Sequence, residues 1–463
     1  MFNLRRRTSP SYSSSYYGSR KKKQRIPKLW IIAAIPLGIL GLEILLRVGT
    51  GILGKSNELT AYVGEPEIAA DYHLKPLNQA GQPMQGISGH GSLAIQETPL
   101  TGFKLVGNQK NNAVQINAQG FRSREAVNWS KPKNEVRIFV LGGSSAFGQF
   151  NSSNQATFST LLETRLNQQV QEQKSNTKKF RPDILPYYAD ELEKALKLPP
   201  KIRDGQYRVI NAAVPGYASG NTLTQVASHI LAYQPDVLVV MDGYSDLLLS
   251  SRKDAASIEV TDQLLSNATG HFIASLSQGI GDFFSSLYLV KTVQYWILKP
   301  KASIEQLVDP LSSSNQSLAD RLASQPEELN RRVDRYGRYL LQLARLSSAS
   351  KASLVIALQP EVSQRQNLTA KEKQLVEQLG TAYQQRVQTG YQRLQQTVEQ
   401  VNKQSSGVTT VKLQDALNQF QGDAFQDPIH LTDAANQTIA DRLYDTIVTQ
   451  LQVQPKPFTG GQP

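Results

Sequence analysis

From residue 135 onwards, short apolar runs alternate with longer stretches in which apolar residues have helical spacing. The apolar runs are VRIFVLG (136–142), YRVINAAV (207–214), DVLVVMDG (236–243), ASLVIALQP (352–360) and GVTTVKL (407–413). The main helical stretches are 158–170, 222–233, 372–402 and 433–452. Near-continuous apolar strands that alternate with helices indicate a parallel sheet covered on both faces. The pattern therefore predicts an α/β fold over residues 135–452, a three-layer α/β/α domain with about five parallel strands.

Two segments break this alternation, and both are expected to be insertions or elaborations at one edge of the sheet. The first is the polar stretch 171–206, and the second covers residues from about 250 to 350. The second includes a strongly apolar stretch at 271–298. Such a stretch is typical of an insertion that packs its own apolar face, and an acyl-binding lid or a membrane-surface helix is the alternative.

The residues on either side of the predicted domain lack its alternation. Residues 55–134 are expected to form a stalk and lead-in. The lead-in ends in a short hairpin, because AVQINAQGFRSRE (113–125) alternates apolar and polar residues and then turns at 117–120. Residues 453–463 are expected to form a flexible C-terminal tail.

The positive charge of the chain is concentrated at its start. The formal net charge is +12, yet residues 1–28 hold nine Lys and Arg residues and no acidic residue, so the rest of the chain carries only +3. A basic, low-complexity tail predicts a disordered segment on the cytoplasmic side of a membrane. The body of the protein is not basic, which argues against a nucleic-acid partner.

An apolar stretch, LWIIAAIPLGILGLEILLRVGTGILG (29–54), follows the basic tail directly. It is long enough to span a bilayer if Glu43 and Arg47, which are spaced i,i+4, pair with each other. The preceding Lys/Arg cluster predicts a cytoplasmic N-terminus and a domain on the opposite side of the membrane. We therefore expect a single-pass transmembrane signal-anchor, with a signal peptide cleaved near residues 49–51 as the alternative.

The first predicted strand runs directly into two glycines and two serines (142–145), a sequence that could bind a phosphate or present a nucleophile. A dinucleotide site needs a second glycine where Ser145 stands, and a Walker-type loop needs a lysine where Gln149 follows Gly148. Both phosphate sites are poor matches. A serine nucleophile at Ser144 is favoured if a base exists elsewhere in the chain.

A candidate base lies in FQDPIHLTDAANQTIA (425–440), where Asp427 precedes His430 by three residues, just before the last predicted helix. This spacing lets the carboxylate accept a hydrogen bond from the imidazole Nδ1, which leaves Nε2 to face a serine. The same spacing is compatible with Asp427 in a turn and His430 at the entry of a helix.

Acyl transfer also requires donors for the oxyanion that forms in the transition state. Gly216 follows the second predicted strand and can offer its backbone N–H, and Ser245 follows the third strand. Loops that follow parallel strands gather at one edge of the sheet. We therefore expect both residues to converge there with Ser144 and His430.

The order of these segments resembles that of the SGNH, or GDSL-type, hydrolases over roughly residues 113–450. The matching segments are GGSS at the first strand, Asn211 to Gly216 at the second, GYSD (243–246) at the third, DPIH (427–430) at the end, and INAQGFR (116–122), which is similar to the lead-in of membrane-associated branches. The resemblance implies a flavodoxin-like domain in which Ser144 is the nucleophile and, through its N–H, an oxyanion donor. It also implies that Gly216 is a second donor, His430 the base and Asp427 the residue that orients the base.

Two positions depart from the family pattern. Gly143 stands where the usual motif has Asp, and Ser245 stands where an Asn amide is expected. A hydroxyl can donate to the oxyanion, but it is shorter than an amide. Loss of one oxyanion donor costs about 10²–10³ in rate, or roughly 3–4 kcal/mol. Reduced activity, acyl transfer to another acceptor and a binding-only role therefore remain open.

The larger α/β-hydrolase fold also has its triad in the chain order Ser, Asp, His. Its nucleophile elbow requires Gly-x-Ser-x-Gly, and Ala146 occupies the fifth position here. That fold also places the nucleophile after a middle strand and the Asp far from the His, so we exclude it.

Together these features predict a membrane-anchored extracytoplasmic serine esterase that removes O-acyl groups, acetyl above all, from an envelope glycan or lipid. The membrane partner would be contacted through residues 29–54, and the substrate would be an acylated carbohydrate or lipid. The alternatives are a polysaccharide O-acyltransferase and a catalytically weak envelope-binding or assembly protein. No metal-binding cluster is recognisable, the chain contains no cysteine, and the reaction needs no cofactor.

Overall fold

The computed structural model describes residues 67–84, 91–258 and 316–458, together with Gly38, residues 41–49, Ile52, residues 304–308 and Leu311. Residues 41–49 are helical, and Arg47 Nε donates to Glu43 Oε1 at 2.9 Å, as their i,i+4 spacing predicts. Within these described parts of the chain, no helix is long and apolar enough to cross a bilayer. The basic tail (1–28), most of the predicted anchor (29–54) and the apolar stretch 271–298 lie outside them.

A small sheet and a hairpin precede the main domain. Their elements are α1 (Glu67–Ala70), β1 (Leu74–Leu77), β2 (Leu93–Thr98), β3 (Gly102–Leu105), β4 (Gln109–Lys110) and β5 (Gln115–Ile116). β2 pairs parallel to β1 and antiparallel to β3, and β4 pairs antiparallel to β5. Tyr72 attaches this region to the main domain, because its hydroxyl donates to the Asn151 carbonyl at 2.6 Å.

This region differs from the predicted stalk and lead-in. Residues 67–105 contain a three-stranded sheet, and the apolar side chains of its short strands, such as Ile95 and Phe103, are buried in the core of the main domain. The hairpin is present, but its turn covers 111–114 instead of 117–120. Residues 117–120 form a separate tight turn, closed by the Gly120 N–H on the Asn117 carbonyl. Strands of two to six residues are too short for a clear period in the sequence.

The main domain begins at β6. Its elements are β6 (Glu135–Gly142), α2 (Ser144–Phe147), α3 (Phe158–Ser175), α4 (Ala189–Lys197), β7 (Gln206–Asn211), α5 (Ser219–Ser228), β8 (Val237–Asp242), α6 (Tyr244–Leu248), α7 (Ile304–Val308), α8 (Leu318–Arg321), α9 (Pro326–Ala349), β9 (Ser353–Leu358), α10 (Ala370–Gln404, with a break at Gly380), β10 (Val408–Val411), α11 (Leu413–Gln419) and α12 (Asp433–Leu451). Short 3₁₀ turns lie at Asn154–Ala156, Thr177–Lys179, Ile230–Tyr233 and Val362–Gln364.

The five strands of the main domain form one parallel sheet in the order β10-β9-β8-β6-β7. Ile138 on β6 lies opposite Val209 on one neighbouring strand and Val237 on the other. The chain thus moves outward from β6 in both directions, which is the flavodoxin-like order. In such sheets, ligands bind at the carboxyl ends of the strands where the order reverses, and that point lies between β6 and β8.

The alternation of side chains along β6 explains the two helical layers. All eight residues of β6 are buried. Ile138 and Val140 belong to one apolar cluster, which α3 and α12 complete, whereas Phe139 and Leu141 belong to a second cluster, completed by α5, α9 and α10. Because successive strand residues face opposite sides, a continuous apolar run requires cover on both faces. The structure thereby confirms the predicted three-layer α/β/α architecture.

The predicted insertion from about 250 to 350 is shorter at its end than expected. Residues from Pro326 to Ala349 form the 24-residue helix α9, which packs between α5 and α10 and leads directly into β9. This helix is part of the ordinary crossover from β8 to β9. Its apolar residues were obscured in the sequence by five arginines in the same segment, of which Arg332 and Arg335 are buried and donate to backbone carbonyls.

A buried ion pair supports the loop that carries the predicted base. Glu372, near the start of α10, accepts hydrogen bonds from the backbone N–H groups of Ala424 (2.8 Å) and Phe425 (3.2 Å). It also pairs with Arg365, which donates to the carbonyls of Leu417, Phe420 and Gly422. Both charged side chains are almost fully buried, so each depends on the other and on these backbone partners.

We expect Glu372→Ala to lower the free energy of unfolding by about 3–5 kcal/mol, because it leaves the Arg365 charge buried without its acidic partner. Urea denaturation at neutral pH measures the change. Glu377→Ala is the matched control, since Glu377 is exposed on the same helix and its removal should change stability by less than about 0.5 kcal/mol. Equal effects of the two substitutions would contradict the proposed importance of the buried pair.

Candidate active site

The turn that carries Ser144 follows β6 without an intervening loop. β6 ends at Gly142, and α2 begins at Ser144. Gly142 has φ +136°, and a Cβ at this position would lie 2.2 Å from the Met241 carbonyl oxygen. No other residue fits this close approach to β8. The glycine therefore allows the chain to turn sharply at the carboxyl edge of the sheet, where it presents Ser144.

Ser144, His430 and Asp427 form a continuous hydrogen-bonded series. Ser144 Oγ lies 2.7 Å from His430 Nε2, and His430 Nδ1 lies 2.6 Å from Asp427 Oδ2. The three side chains are buried, with Ser144 5% exposed, Asp427 3% and His430 0%. In this geometry an imidazole can take the proton of the hydroxyl while the carboxylate stabilises the charge that forms on the ring.

Asp427 is held by its own loop as well as by the imidazole. Its Oδ1 accepts hydrogen bonds from the N–H groups of Ile429 (3.0 Å) and His430 (2.8 Å). Burial alone would raise the pKa of Asp427, but the interaction with His430 and these backbone donors outweighs burial and lowers it. Asp427 is therefore ionised at neutral pH, as an orienting carboxylate must be.

The ring of Phe150 packs against the imidazole of His430. The two ring centroids are 5.0 Å apart and the rings are nearly perpendicular, at 84°. Phe150 adopts a left-handed backbone conformation, with φ +66°, which is costly for an aromatic residue. The position is fixed on one side by Gln426, whose side-chain amide donates to the Phe150 carbonyl at 3.0 Å.

Two buried polar side chains fix the end of the short helix α2. Asn211, the last residue of β7, donates to the carbonyls of Ala146 (3.1 Å) and Phe147 (3.2 Å). Arg122 donates to the carbonyls of Phe147 (3.0 Å) and Gly148 (2.6 Å). Helices leave their last carbonyls without internal partners, and here Asn211 and Arg122 supply them. Both residues lie in segments that carry the family resemblance, but no role could be assigned to them from the sequence.

The two other predicted oxyanion donors lie beside the Ser144 turn. Gly216 has φ +90°, a left-handed conformation that favours glycine, and the carbonyl oxygen of the next residue, Tyr217, lies 2.8 Å from the point that a Cβ on Gly143 would occupy. Ser245 Oγ lies 3.6 Å from the point that a Cβ on Gly143 would occupy. Among the described residues, Ser245 Oγ has no hydrogen-bond partner, so its hydroxyl can donate to a ligand.

A cavity of about 260 Å³ opens beside these two residues. Gly216 and Ser245 line it, together with apolar residues that include Leu248 and Leu311 and the charged residues Lys253 and Arg332. Ser144 does not line the cavity, so the space begins beside Gly216 and Ser245 and not at the Ser144 hydroxyl. No cluster of acidic and histidine side chains suited to a metal ion occurs in the described part of the chain.

The second serine of the Gly-Gly-Ser-Ser sequence is engaged elsewhere. Ser145 Oγ donates to the Ile429 carbonyl at 2.9 Å and accepts from Gln359 Nε2 at 3.0 Å. Its hydroxyl does not contact the imidazole, so the geometry distinguishes Ser144 from Ser145. The sequence alone favoured Ser144 by its position in the motif, and nothing in the local pattern indicated the contact between Ser145 and the loop of His430.

Residues 138–443 of this 463-residue chain match the family model described as GDSL-like Lipase/Acylhydrolase. No curated protein matches the sequence. Among solved structures, the acetyl xylan esterase AlAXEase is 10% identical, with a TM-score of 0.33, over 67% of this chain and 98% of that one. TesA is 14% identical, with a TM-score of 0.32, over 68% and 99%. The acetylxylan esterase Axe2 of Geobacillus stearothermophilus is 11% identical, with a TM-score of 0.29, over 69% and 96%.

A buried carboxyl group lies next to the loop that carries His430. Glu361 accepts hydrogen bonds from the Ser363 N–H (2.9 Å) and the Tyr383 hydroxyl (3.1 Å), and the following residue, Val362, donates its N–H to the Pro428 carbonyl at 2.9 Å. Burial raises the pKa of Glu361 to about 7, although the hydrogen bonds from Ser363 and Tyr383 act to lower it. The group therefore titrates near neutral pH, and the sequence contained no signal for this.

The raised pKa predicts a specific pH dependence of stability. Between the ordinary pKa of 4.5 and about 7, the folded protein keeps the Glu361 proton while the unfolded chain releases it, so a rise in pH favours unfolding. Glu361→Gln removes this effect. The variant should gain stability relative to wild type as pH rises from 5 to 7, by at most about 1.4 kcal/mol per pH unit, and the gain should level off above 7.

Urea denaturation of both proteins at a series of pH values measures this difference. Glu377→Gln, an exposed carboxyl on α10, is the control and should track wild type at every pH. A constant difference between Glu361→Gln and wild type across the series would show that Glu361 has an ordinary pKa.

Proposed function

Because the chain belongs to the GDSL-like lipase/acylhydrolase family, we propose that it hydrolyses carboxylic esters with Ser144 as the nucleophile. The observation that carries this proposal is the 2.7 Å contact between Ser144 Oγ and His430 Nε2, with Asp427 2.6 Å behind the imidazole. A buried serine with a single base and a single orienting carboxylate is the minimal arrangement for covalent acyl transfer.

The reaction proceeds in two steps. In the first, Ser144 Oγ attacks the acyl carbonyl while His430 Nε2 takes its proton, and the same proton then passes to the leaving alcohol as the ester bond breaks. In the second, His430 takes a proton from water, which attacks the acyl-serine and releases the carboxylic acid and the free hydroxyl of Ser144. Asp427 stays ionised and stabilises the imidazolium in both steps.

The oxyanion that forms in each step accepts hydrogen bonds from the backbone N–H groups of Ser144 and Gly216 and from the Ser245 hydroxyl. These donors are fixed before substrate binds, because Gly216 sits in a constrained turn and Ser245 at the start of α6. Preorganised donors need no rearrangement as charge develops. The cavity beside Gly216 and Ser245 would receive the part of the substrate next to the carbonyl.

The substrate class is proposed from the N-terminal sequence. A basic tail at 1–28 followed by an apolar stretch at 29–54 favours an anchored protein whose domain lies outside the cytoplasm. The substrate would then be an O-acyl group, acetyl in the simplest case, on a glycan or lipid of the cell envelope. Transfer of the acyl group to a sugar hydroxyl in place of water uses the same site and the same first step.

We expect a fluorophosphonate probe to label the full-length protein at Ser144, and Ser144→Ala to abolish both labelling and turnover of p-nitrophenyl acetate. Peptide mass spectrometry of the labelled protein identifies the modified serine, and heat-denatured protein is the control, because labelling depends on the assembled triad. Turnover that persists unchanged in Ser144→Ala would exclude Ser144 as the nucleophile. Added sugar acceptors distinguish transfer from hydrolysis by the acylated product.

We expect Ser245→Asn to increase kcat for p-nitrophenyl acetate, because the longer amide reaches further toward the oxyanion and the adjacent cavity has room for it. Ser245→Ala should lower kcat, by less than the roughly 10²–10³ that loss of an optimally placed donor costs. If both substitutions leave kcat unchanged, Ser245 is not an oxyanion donor.

A further inference from the structure

The nucleophile turn and the histidine loop are joined one residue away from each reactive side chain. Ser145 follows Ser144, Ile429 precedes His430, and Ser145 Oγ donates to the Ile429 carbonyl at 2.9 Å. The two partners are 284 residues apart in the chain, and both are buried. This hydrogen bond directly connects the turn that carries Ser144 to the loop that carries His430 and Asp427.

The direction of this hydrogen bond is set by a third residue. Gln359 is buried and its Nε2 donates to Ser145 Oγ at 3.0 Å. A serine hydroxyl has one proton, and the Ile429 carbonyl can only accept. With the amide of Gln359 donating from one side, the Ser145 proton is directed to Ile429. Hydrogen-bond donation therefore runs from Gln359 to Ser145 and from Ser145 to Ile429.

Gln359 is itself held by the sheet and by the helical layer. It follows β9 directly, its N–H donates to the Asp242 carbonyl at 3.1 Å, and its carbonyl accepts from the Tyr391 hydroxyl at 2.9 Å. The side-chain amide thus projects from a fixed backbone. It connects β9 to the loops that follow β6 and precede α12.

Other contacts between the two loops begin, on the serine side, six or seven residues after Ser144. Asn151 Nδ2 contacts the Leu431 carbonyl at 3.3 Å, and Gln426 Nε2 contacts the Phe150 carbonyl at 3.0 Å. The Asn151 contact holds the residue that follows His430, whereas the Ser145 contact holds the residue that precedes it. Loss of the Ser145 contact would leave the first in place and release the Ile429 carbonyl, so the imidazole could shift relative to Ser144.

We propose that Ser145 and Gln359 are positioning residues, which hold the His430 loop so that Nε2 stays within hydrogen-bond distance of Ser144 Oγ. This inference rests on the proposed esterase function and deepens it. Displacement of a catalytic group by about 1 Å costs on the order of 10²-fold in rate. Neither residue lines the cavity beside Gly216 and Ser245, so their loss should act on kcat and leave KM nearly unchanged.

The test compares Ser145→Ala, Gln359→Glu and Ser145→Thr in the full-length protein, with p-nitrophenyl acetate turnover and the rate of fluorophosphonate labelling as readouts. Ser145→Ala should lower kcat and the labelling rate by about 10- to 100-fold, with KM changed less than about twofold. Gln359→Glu keeps the shape but accepts the Ser145 proton, so it should turn that hydroxyl away from Ile429 and reduce kcat likewise. Ser145→Thr retains the hydroxyl and should recover most of kcat.

Ser347→Ala is the matched control. Ser347 is buried and its hydroxyl donates to the Ala352 carbonyl at 2.7 Å, where α9 leads into β9 at the opposite edge of the sheet. It loses the same kind of bond as Ser145→Ala, and its thermal stability should fall by a similar amount while kcat stays at the wild-type value. Equal kcat losses in the two variants would show that Ser145 contributes only to the stability of the fold, and this would overturn the inference.

The results separate the two proposals. If Ser144 is labelled and required but Ser145→Ala and Gln359→Glu keep wild-type kcat, the positioning role is wrong and the esterase proposal stands. If the wild-type protein is neither labelled at Ser144 nor active on the ester, the esterase proposal fails, and the positioning role fails with it.

Discussion

The hydrogen bond between Ser144 Oγ and His430 Nε2 joins two residues 286 positions apart, and the rest of the domain can be understood as the structure that brings them to 2.7 Å. Neither residue can act alone in nucleophilic catalysis, because a serine hydroxyl is a weak nucleophile at its free pKa and a buried imidazole needs a fixed tautomer. Asp427 fixes the tautomer from within the same loop. The distance between the serine and the imidazole, in contrast, depends on the whole sheet.

The parallel sheet meets this requirement through its connectivity. The strand order reverses between the neighbouring strands β6 and β8. The turns that follow β6, β7 and β8 therefore surround a shared crevice at the carboxyl edge of the sheet. Ser144 comes from the first of these turns, Gly216 from the second and Ser245 from the third. His430 enters the same edge from the loop before α12, whose helix packs on α3 and so returns the end of the chain to its beginning.

Buried polar side chains then convert proximity into defined geometry. Asn211 and Arg122 bind the last carbonyls of α2, Glu372 binds the N–H groups of residues 424 and 425, and Ser145 joins the two loops beside the reactive groups. Each of these groups is satisfied by a backbone partner in another element, which makes the arrangement specific, because leaving any one of them unpaired is costly in a buried site. Glu361, next to the loop that carries His430, is a further buried group, and burial raises its pKa to about 7.

The sequence by itself determined the fold class and the residues that meet at the strand ends, because continuous apolar runs between helical stretches require a sheet covered on both faces, and parallel strands bring their following loops together. The pairing of Asp427 with His430 was also local, three residues apart. The small sheet at 74–105, the true extent of the β8 to β9 crossover, and the contacts of Ser145, Gln359 and Glu361 were decided only in three dimensions. Short strands contain too few residues to show a period. A hydrogen bond between distant segments cannot be recognised in either segment alone, because its partner, direction and burial arise only when the chain is packed.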